Sequence, residues 1–205
     1  MIKTNFLIVM TLMLTGCAGL LTSNQNINEF YTLNAIPDYS GNDENKNIAA
    51  SIMVQSASVS KGLEGNKIML MHSQQRLDYY ANARWSSPLS AMVQTSVIES
   101  FENSHVLGRV GGDYSGMRAD YALTLEIQDF QAEYQEENQP PIIHIKLVGK
   151  LVHFPERTLA ASFTVETFQQ ADENELADIV RAFDKAFAGT QDLLIEETLD
   201  YLTKP

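Results

Sequence analysis

The sequence predicts an α+β fold: a single two-layer domain with one mostly antiparallel or mixed sheet and two main helices packed on one face. Three observations lead to this fold class. The chain has 205 residues, enough for one domain of ordinary size. Segments of strand character form two groups, and a helical segment follows each group. The composition, 44% hydrophobic and 20% charged, is typical of a globular protein.

The first group of strands precedes the first helix. Apolar runs at residues 30–33, 48–55 and 68–73 predict three strands, separated by loops rich in turn-forming residues. The run RLDYYANARW completes the group, and apolar residues occupy every second position of it: Leu77, Tyr79, Ala81, Ala83 and Trp85. A period of two predicts a half-buried strand that places these five side chains on its buried face.

The first helix is predicted directly after this run. Ser87 is suited to cap it, and Pro88 suits the first helical position. Apolar residues at helical spacing continue from Leu89 to Phe101, so we expect the helix to end near Asn103.

The second group of strands follows a short strand and a glycine-rich loop at residues 105–120. Segments 121–130, 142–154 and 159–168 predict three consecutive strands in an antiparallel meander. The alternation of the first segment changes phase near Asp129, which predicts a β-bulge.

The last helix is predicted to start at Asp172, because Glu175 completes a capping-box pattern. Apolar positions from Leu176 to Tyr201 mark one face, which we expect to be core, with a homo-oligomer interface as the alternative. Gly189 lies inside this helix and predicts a break or a bend.

The N-terminus has the features of a secretory signal. Lys3 precedes an apolar run at residues 6–14, which is about half of the roughly 20 residues that a membrane-spanning helix needs. LTGC, residues 14–17, then holds the only cysteine of the chain. A lone cysteine can be a nucleophile, a metal ligand, a disulfide partner or a buried filler, but this context resembles the bacterial lipobox and favours a lipid attachment point.

The lipobox resemblance implies a domain organisation. Residues 1–16 would be a cleaved lipoprotein signal peptide, and Cys17 would become the first residue and carry acyl chains such as palmitate. The mostly small and polar residues 17–28 would be a lipidated tether, followed by the domain at residues 29–205. Ala18 stands where an aspartate would favour inner-membrane retention, so the resemblance points to the outer membrane.

The charge of the chain limits its partners. The formal net charge is −12, from 26 acidic against 14 basic residues, and no basic patch with interleaved aromatic residues stands out in the sequence. Such a surface repels phosphate backbones, which predicts that nucleic acid is not a partner. It also disfavours docking on anionic lipid by a polybasic patch, so an anchor must hold the protein at a membrane.

A search for catalytic and metal-binding patterns leads us to predict a protein that is not an enzyme and has no metal or cofactor. Ser115 lies in GGDYSG, residues 111–116, whose glycine spacing does not fit the nucleophile elbow G-x-S-x-G. The acids Glu136 and Glu137 lack the alternating pattern of a calcium loop. The histidines lack the helical spacing of zinc ligands: His72, His105, His144 and His153.

The order of elements, together with several residues, resembles the ABC-type transport auxiliary lipoproteins, of the paraquat-inducible lipoprotein C-like type. The resemblance covers nearly the whole mature chain. It rests on the lipobox, the meander, the long last helix and the following residues: Tyr31, Leu33, Tyr79, Tyr80, Arg84, Trp85 and Pro88.

This resemblance implies a non-enzymatic outer-membrane lipoprotein whose domain faces the periplasm of a Gram-negative bacterium. Proteins of this family work with MCE-domain proteins that bridge the periplasm and carry lipids between the membranes. An MCE-domain protein is therefore the expected partner, and docking is the expected role. A structural lipoprotein that assists another outer-membrane machine, or a lipid-anchored envelope hydrolase, are the alternatives.

Three residues of the resembling run are candidates for contact with the partner: Tyr80, Arg84 and Trp85. Trp85 ends a strand just before a helix, where a large aromatic residue commonly holds the corner of a core. A partner or lipid contact at the edge of the domain is the other interpretation of Trp85.

Overall fold

Within the described residues, a nine-stranded mixed sheet forms one layer of the domain and two helices form the other. The computed structural model describes residues 28–37, 39, 48–73, 76–136, 138–154 and 156–204. The strands are β1 (Glu29–Tyr31), β2 (Ile48–Val54), β3 (Ser58–Val59), β4 (Lys67–His72), β5 (Arg76–Trp85), β6 (Leu107–Gly112), β7 (Tyr121–Glu133), β8 (Ile142–His153) and β9 (Thr158–Gln170). The helices are α1 (Leu89–Ser104) and α2 (Leu176–Thr203), and a 3₁₀ turn (Asp113–Ser115) precedes β7.

The long strand β7 is the centre of the sheet. One edge of β7 pairs antiparallel with β8, which pairs in the same way with β9, and this confirms the predicted meander. The other edge of β7 pairs in succession with β2, β3 and β4, all in parallel. Next, β6 lies beside β2, β5 beside β4, and β1 beside β5. The sheet is therefore mixed, and β3 is a strand that the sequence did not predict.

The predicted bulge in β7 is confirmed. The pairing of β7 with β8 shifts register between Ile127 and Asp129. The extra residue changes which side chains face the helices, because the side-chain period of a strand is two. Ile127 and Phe130 are consequently both in the core, with at most 1% of their surface exposed.

The alternation predicted for β5 is wrong in its first half. The segment forms a strand, but Leu77 and Tyr79 are each 38% exposed, whereas Ala83 and Trp85 are buried. The odd-numbered residues of β5 therefore do not share one face. Those near the start point away from the helices, and those near the end point into the core.

The pairing of β5 with β4 explains this reversal. Met69 pairs with Tyr79 and Lys67 pairs with Arg84, so two positions along β4 correspond to five positions along β5. The additional residues of β5 form an irregularity that reverses the phase of the strand. An alternating sequence does not reveal such an insertion, because the insertion depends on the neighbouring strand.

The start of α1 differs from the predicted Ser87 cap, whereas its end agrees with the end predicted near Asn103. Pro88 is the N-cap, no side chain caps the helix, and Ser87 therefore does not have the predicted role. The Leu89 N–H instead donates to the Gly65 carbonyl at 2.9 Å. The helix ends at Ser104, and His105 follows in the left-handed region with φ 54°.

The predicted start of α2 is wrong, and the helix does not break at Gly189. The helix begins at Leu176, after Glu175 as N-cap without a side-chain capping bond, so Asp172 does not form the predicted capping box. The helix then runs without a break through Gly189 to Thr203. Packing of its apolar face on the sheet outweighs the cost of about 1 kcal/mol for one glycine in a helix.

Both helices pack on the same face of the sheet, as predicted. The helix α1 contacts β2, β3 and β6, and α2 contacts β8, β9 and β2. Neither helix among the described residues is long and apolar enough to cross a membrane. An aromatic cluster lies at the centre of the core between the layers: Trp85, Phe130, Phe183 and Phe187.

Candidate functional site

The candidate functional site is the face of the sheet opposite the helices, which we call the open sheet face. Strand register places side chains of six laterally adjacent strands on it, in the order β1, β5, β4, β7, β8 and β9. A representative from each strand, in that order, is Phe30, Tyr79, Met71, Gln131, His144 and Phe168. Polar, charged and aromatic groups share this face, as is common where one side of an antiparallel sheet is solvated.

One end of the open sheet face carries four interacting residues, which we call the His144 cluster: Glu133, His144, Glu166 and Phe168. The His144 Nδ1 lies 2.8 Å from Glu133 Oε1, and its Nε2 lies 2.8 Å from Glu166 Oε1. The imidazole stacks on the Phe168 ring with centroids 4.4 Å apart. Phe168 is nevertheless 61% exposed, so a rigidly held aromatic ring faces solvent.

The electrostatics of the His144 cluster favour a protonated histidine. Burial alone would lower the pKa of His144, but the hydrogen bonds to Glu133 and Glu166 outweigh burial and raise it above its usual value. The hydrogen bond from His144 lowers the pKa of Glu166, and Lys146, 3.6 Å away, adds to this effect. When protonated, His144 thus donates to carboxylates on both strands that flank β8, Glu133 of β7 and Glu166 of β9.

We expect the contribution of His144 to folding stability to depend on pH. Because the pKa of His144 is raised in the folded protein, this contribution is complete below the unfolded value of about 6.5 and is lost as pH rises through the folded value. The difference in unfolding free energy between the wild type and His144→Gln should therefore shrink from mildly acidic to alkaline pH. Urea denaturation of both proteins at a series of pH values measures this difference in unfolding free energy.

A matched variant isolates the cause of the shifted pKa. In Glu166→Gln, the imidazole loses one carboxylate, so NMR titration should give a lower pKa for His144 than in the wild type. Glu156→Gln, which removes the carboxylate beside His153 at the β8–β9 turn, serves as the control. An unchanged pKa of His144 in Glu166→Gln would contradict the bridging role.

The other end of the open sheet face carries what we call the basic–aromatic patch: Phe30, Lys67, Tyr79 and Arg84. The Lys67 Nζ lies 3.8 Å from the centroid of the Tyr79 ring, and the Arg84 Cζ lies 5.3 Å from it. Phe30 pairs with Arg84 across β1 and β5 and is 64% exposed. Two cations therefore flank one aromatic ring, with a second aromatic ring beside them.

Trp85, one of the three candidate contact residues, lies in the core. Its side chain is 1% exposed, and its ring meets Phe130 and Phe183 edge-on at 6.1 and 5.3 Å. This placement agrees with the interpretation of Trp85 as the residue that holds the strand–helix corner. The side chain offers almost no surface to a partner.

Tyr80 and Arg84 both stabilise the irregular part of β5. The Tyr80 hydroxyl lies 2.9 Å from that of Tyr134, which donates to Asn174 at 2.8 Å, and burial raises the pKa of Tyr80 strongly. The Arg84 guanidinium donates to three backbone carbonyls of β5 at 2.7 to 3.3 Å, those of Tyr80, Ala81 and Ala83. Of the three candidate contact residues, Arg84 is the one on the open sheet face, and contact of any of them with a partner stays a prediction.

The remaining sequence candidates lie apart from this face or outside the described residues. The Ser115 hydroxyl donates to the Gly112 carbonyl at 2.6 Å, within the 3₁₀ turn. No group of three histidine, cysteine or acidic residues in the described part of the chain is arranged to hold a metal ion. Cys17 and residues 17–27 of the predicted tether lie outside the described residues.

The sequence matches the model of a protein family, the ABC-type transport auxiliary lipoprotein component, over residues 31–192. The chain belongs to this family. The match extends from β1 into α2 and so includes both ends of the open sheet face except Phe30. The family predicted from the lipobox and the run around Trp85 is thus confirmed, and the description of this family is an auxiliary lipoprotein component of ABC-type transport.

Solved structures share the fold of this ABC-transport auxiliary lipoprotein. A protein from Xanthomonas campestris has a TM-score of 0.75 and 22% identity, with 84% of this chain and 96% of that chain covered. A hypothetical protein from Chlamydia trachomatis has a TM-score of 0.52 and 9% identity, with 76% and 98% covered. At these identities the similarity shows the fold alone.

A curated relative extends beyond the domain. An uncharacterised protein of Bradyrhizobium diazoefficiens is 31% identical over 109 residues, which is 53% of this chain and 29% of that protein. The chain therefore spans less than a third of the length of this relative.

Proposed function

We propose that this auxiliary lipoprotein is a non-enzymatic docking subunit of an MCE-type lipid-transport system, held in the outer membrane and facing the periplasm. The observation that carries the proposal is the match over residues 31–192 to a family described as an auxiliary component of ABC-type transport. The open sheet face supports it, because this face presents rigidly held aromatic and charged side chains on one side of the sheet.

The anchor in this proposal is an acylated Cys17. The lipobox LTGC supplies the cysteine, and Ala18 directly after it lacks the aspartate that favours inner-membrane retention. A covalent lipid also accounts for membrane attachment of a chain whose formal net charge is −12.

The docking surface in this proposal is the His144 cluster. Exposed aromatic rings that are held in place lose little conformational entropy on binding and are common at the energetic centres of interfaces. Phe168 has these properties, since it is 61% exposed and stacked on His144. Charges of both signs surround it, from Glu166 and Lys146, and such a polar rim favours a specific partner. In this proposal Tyr80 and Trp85 do not touch the partner; they stabilise the domain that presents the His144 cluster.

Site-specific photo-crosslinking in living cells tests this proposal. We expect a crosslinker in place of Phe168 to capture an MCE-domain protein, identified by mass spectrometry. The matched control replaces Tyr114, an aromatic residue 79% exposed on the 3₁₀ turn, and should not capture that protein. Capture of another outer-membrane assembly at Phe168, or equal capture at both positions, would count against docking through the His144 cluster.

A further inference from the structure

The basic–aromatic patch is unusual for so acidic a chain. Lys67 and Arg84 make no ion pair with a carboxylate among the described residues: Lys67 lies over the Tyr79 ring, and Arg84 donates to backbone carbonyls. The sequence does not reveal this patch, because the two cations are 17 positions apart and belong to different strands. Pairing of Lys67 with Arg84 brings them together on the open sheet face.

The acidic residues of the two strands that carry Phe30 and Tyr79 point to the other side of the sheet. Glu29 precedes Phe30 in β1, and Asp78 precedes Tyr79 in β5, so the alternation of each strand directs these carboxylates away from the open sheet face. Glu29 accepts a hydrogen bond from Tyr31 on that other side. Within β1, β4 and β5 the patch therefore carries two cations and no carboxylate on the open sheet face, while the acids Asp129 and Glu133 of this face lie on the neighbouring strand β7.

The position of the patch relative to the anchor indicates what covers it. Phe30 is 13 positions from Cys17, so the two are at most about 45 Å apart along an extended chain. With an acylated Cys17, the chain would therefore hold Phe30 within about 45 Å of the membrane surface. We propose that the basic–aromatic patch rests on the anionic phospholipid headgroups of the membrane that holds the anchor, an inference that uses the acylated Cys17 of the proposed function.

The chemistry of the patch fits this surface. Lysine and arginine meet lipid phosphates, and aromatic rings such as Phe30 and Tyr79 suit the boundary between headgroups and acyl chains. Two cations bind an anionic bilayer weakly by themselves, but the lipid anchor raises their effective concentration at the surface. The patch therefore orients a domain that the acyl chains already hold, which agrees with the absence of a polybasic segment.

This orientation has a consequence for docking. Three strand-to-strand steps separate Tyr79 on β5 from His144 on β8, and a twist of 20 to 25° per step rotates these two strands by about 60–75° relative to each other. When the patch lies on the membrane, the twist tilts the His144 cluster on β7, β8 and β9 away from the membrane surface. The two ends of one face can then serve the membrane and the protein partner separately.

Depth-dependent fluorescence quenching tests the proposal on the acylated full chain in vesicles of phosphatidylethanolamine and phosphatidylglycerol. Because Cys17 is the only cysteine and its thiol is acylated, a cysteine introduced at Phe30 or Leu159 is the only thiol that an environment-sensitive dye can label. Leu159, 62% exposed on β9, matches the 64% exposure of Phe30. We expect a lipid-borne nitroxide to quench the dye at position 30 several-fold more than the dye at position 159.

Charge variants show whether the cations cause this contact. Lys67→Glu should reduce quenching at position 30 to the level of position 159, and phosphatidylcholine vesicles should have the same effect. Lys185→Glu changes the charge equally at an exposed site of α2 and should leave the quenching unchanged. Equal quenching at positions 30 and 159, or no effect of Lys67→Glu, would overturn the proposal.

A second attachment separates the patch from the anchor. The Cys17→Ser chain, with a His tag in place of residues 1–16, binds the same vesicles through a nickel-chelating lipid and should give the same pattern of quenching. If the native chain is not acylated, the proposed anchor is wrong. The measurement with the His-tagged chain still tests whether the basic–aromatic patch contacts the membrane. If position 30 is unquenched in both forms, the patch proposal is wrong, while docking through the His144 cluster is unaffected.

Discussion

Replacing Trp85 with alanine is expected to destabilise the domain by about 3–5 kcal/mol, the usual cost of truncating a fully buried large aromatic residue. Trp85 is 1% exposed and joins β5 to β7 and α2 through its ring contacts with Phe130 and Phe183. Its removal leaves a cavity at the point where sheet and helix layers meet. A loss of this size is a large part of the stability of about 5–15 kcal/mol that a domain commonly has.

Urea denaturation of the purified protein, followed by circular dichroism, measures this loss. Trp85→Phe keeps an aromatic ring in the cluster and should cost less than Trp85→Ala. Tyr114→Ala removes a ring that is 79% exposed, and it should change the unfolding free energy by less than about 0.5 kcal/mol. Normal stability of Trp85→Ala together with loss of partner binding would instead support the contact interpretation.

Local periodicity allowed much of the fold to be predicted from the sequence. The meander β7–β8–β9 and both helices follow from patterns that lie within one segment each, and the bulge near Asp129 is visible as a change of phase within β7. The errors come from non-local pairing. The alternation of Leu77 to Trp85 gives no sign that β4 pairs with β5 across an irregularity, so half of the predicted buried face is exposed.

The functional face was less predictable than the fold for the same reason. His144 and Phe168 lie 24 positions apart, and register alone places them directly opposite each other. One sequence feature could have drawn attention to them: Phe168 lies at an outward position of a strand whose core-facing residue is Val165. The family could nevertheless be predicted from the sequence, because a family resemblance depends on the order of residues rather than on their contacts.

Replacing Gln191 with leucine is expected to cost about 1–3 kcal/mol, because the Asn34 carbonyl would lose its donor and the Ile36 N–H would keep only the Ser100 hydroxyl as acceptor. Gln191 is 1% exposed on α2. Its amide oxygen accepts hydrogen bonds from the Ile36 N–H at 3.1 Å and from the Ser100 hydroxyl, and its amide nitrogen donates to the Asn34 carbonyl at 3.1 Å. A side chain thus satisfies the backbone of a segment that has no regular structure.

These contacts hold the chain between β1 and the helices. Leu33 and Ile36 are each 4% exposed, and Asp184 of α2 accepts a further bond from the Asn34 N–H at 3.0 Å. Segment 33–36 follows β1 closely, so it fixes the point at which the N-terminal part of the described chain joins the core. In Gln191→Leu we therefore expect this segment to lose order before the sheet unfolds.

Hydrogen–deuterium exchange measured by mass spectrometry distinguishes this local effect from general destabilisation. Peptides that contain segment 33–36 should exchange faster in Gln191→Leu than in the wild type, while those from β8 should change less. Gln135→Leu makes the same substitution at an exposed position and should leave exchange unchanged. Unchanged exchange of segment 33–36 in Gln191→Leu would show that burial of Leu33 and Ile36 is sufficient to hold it.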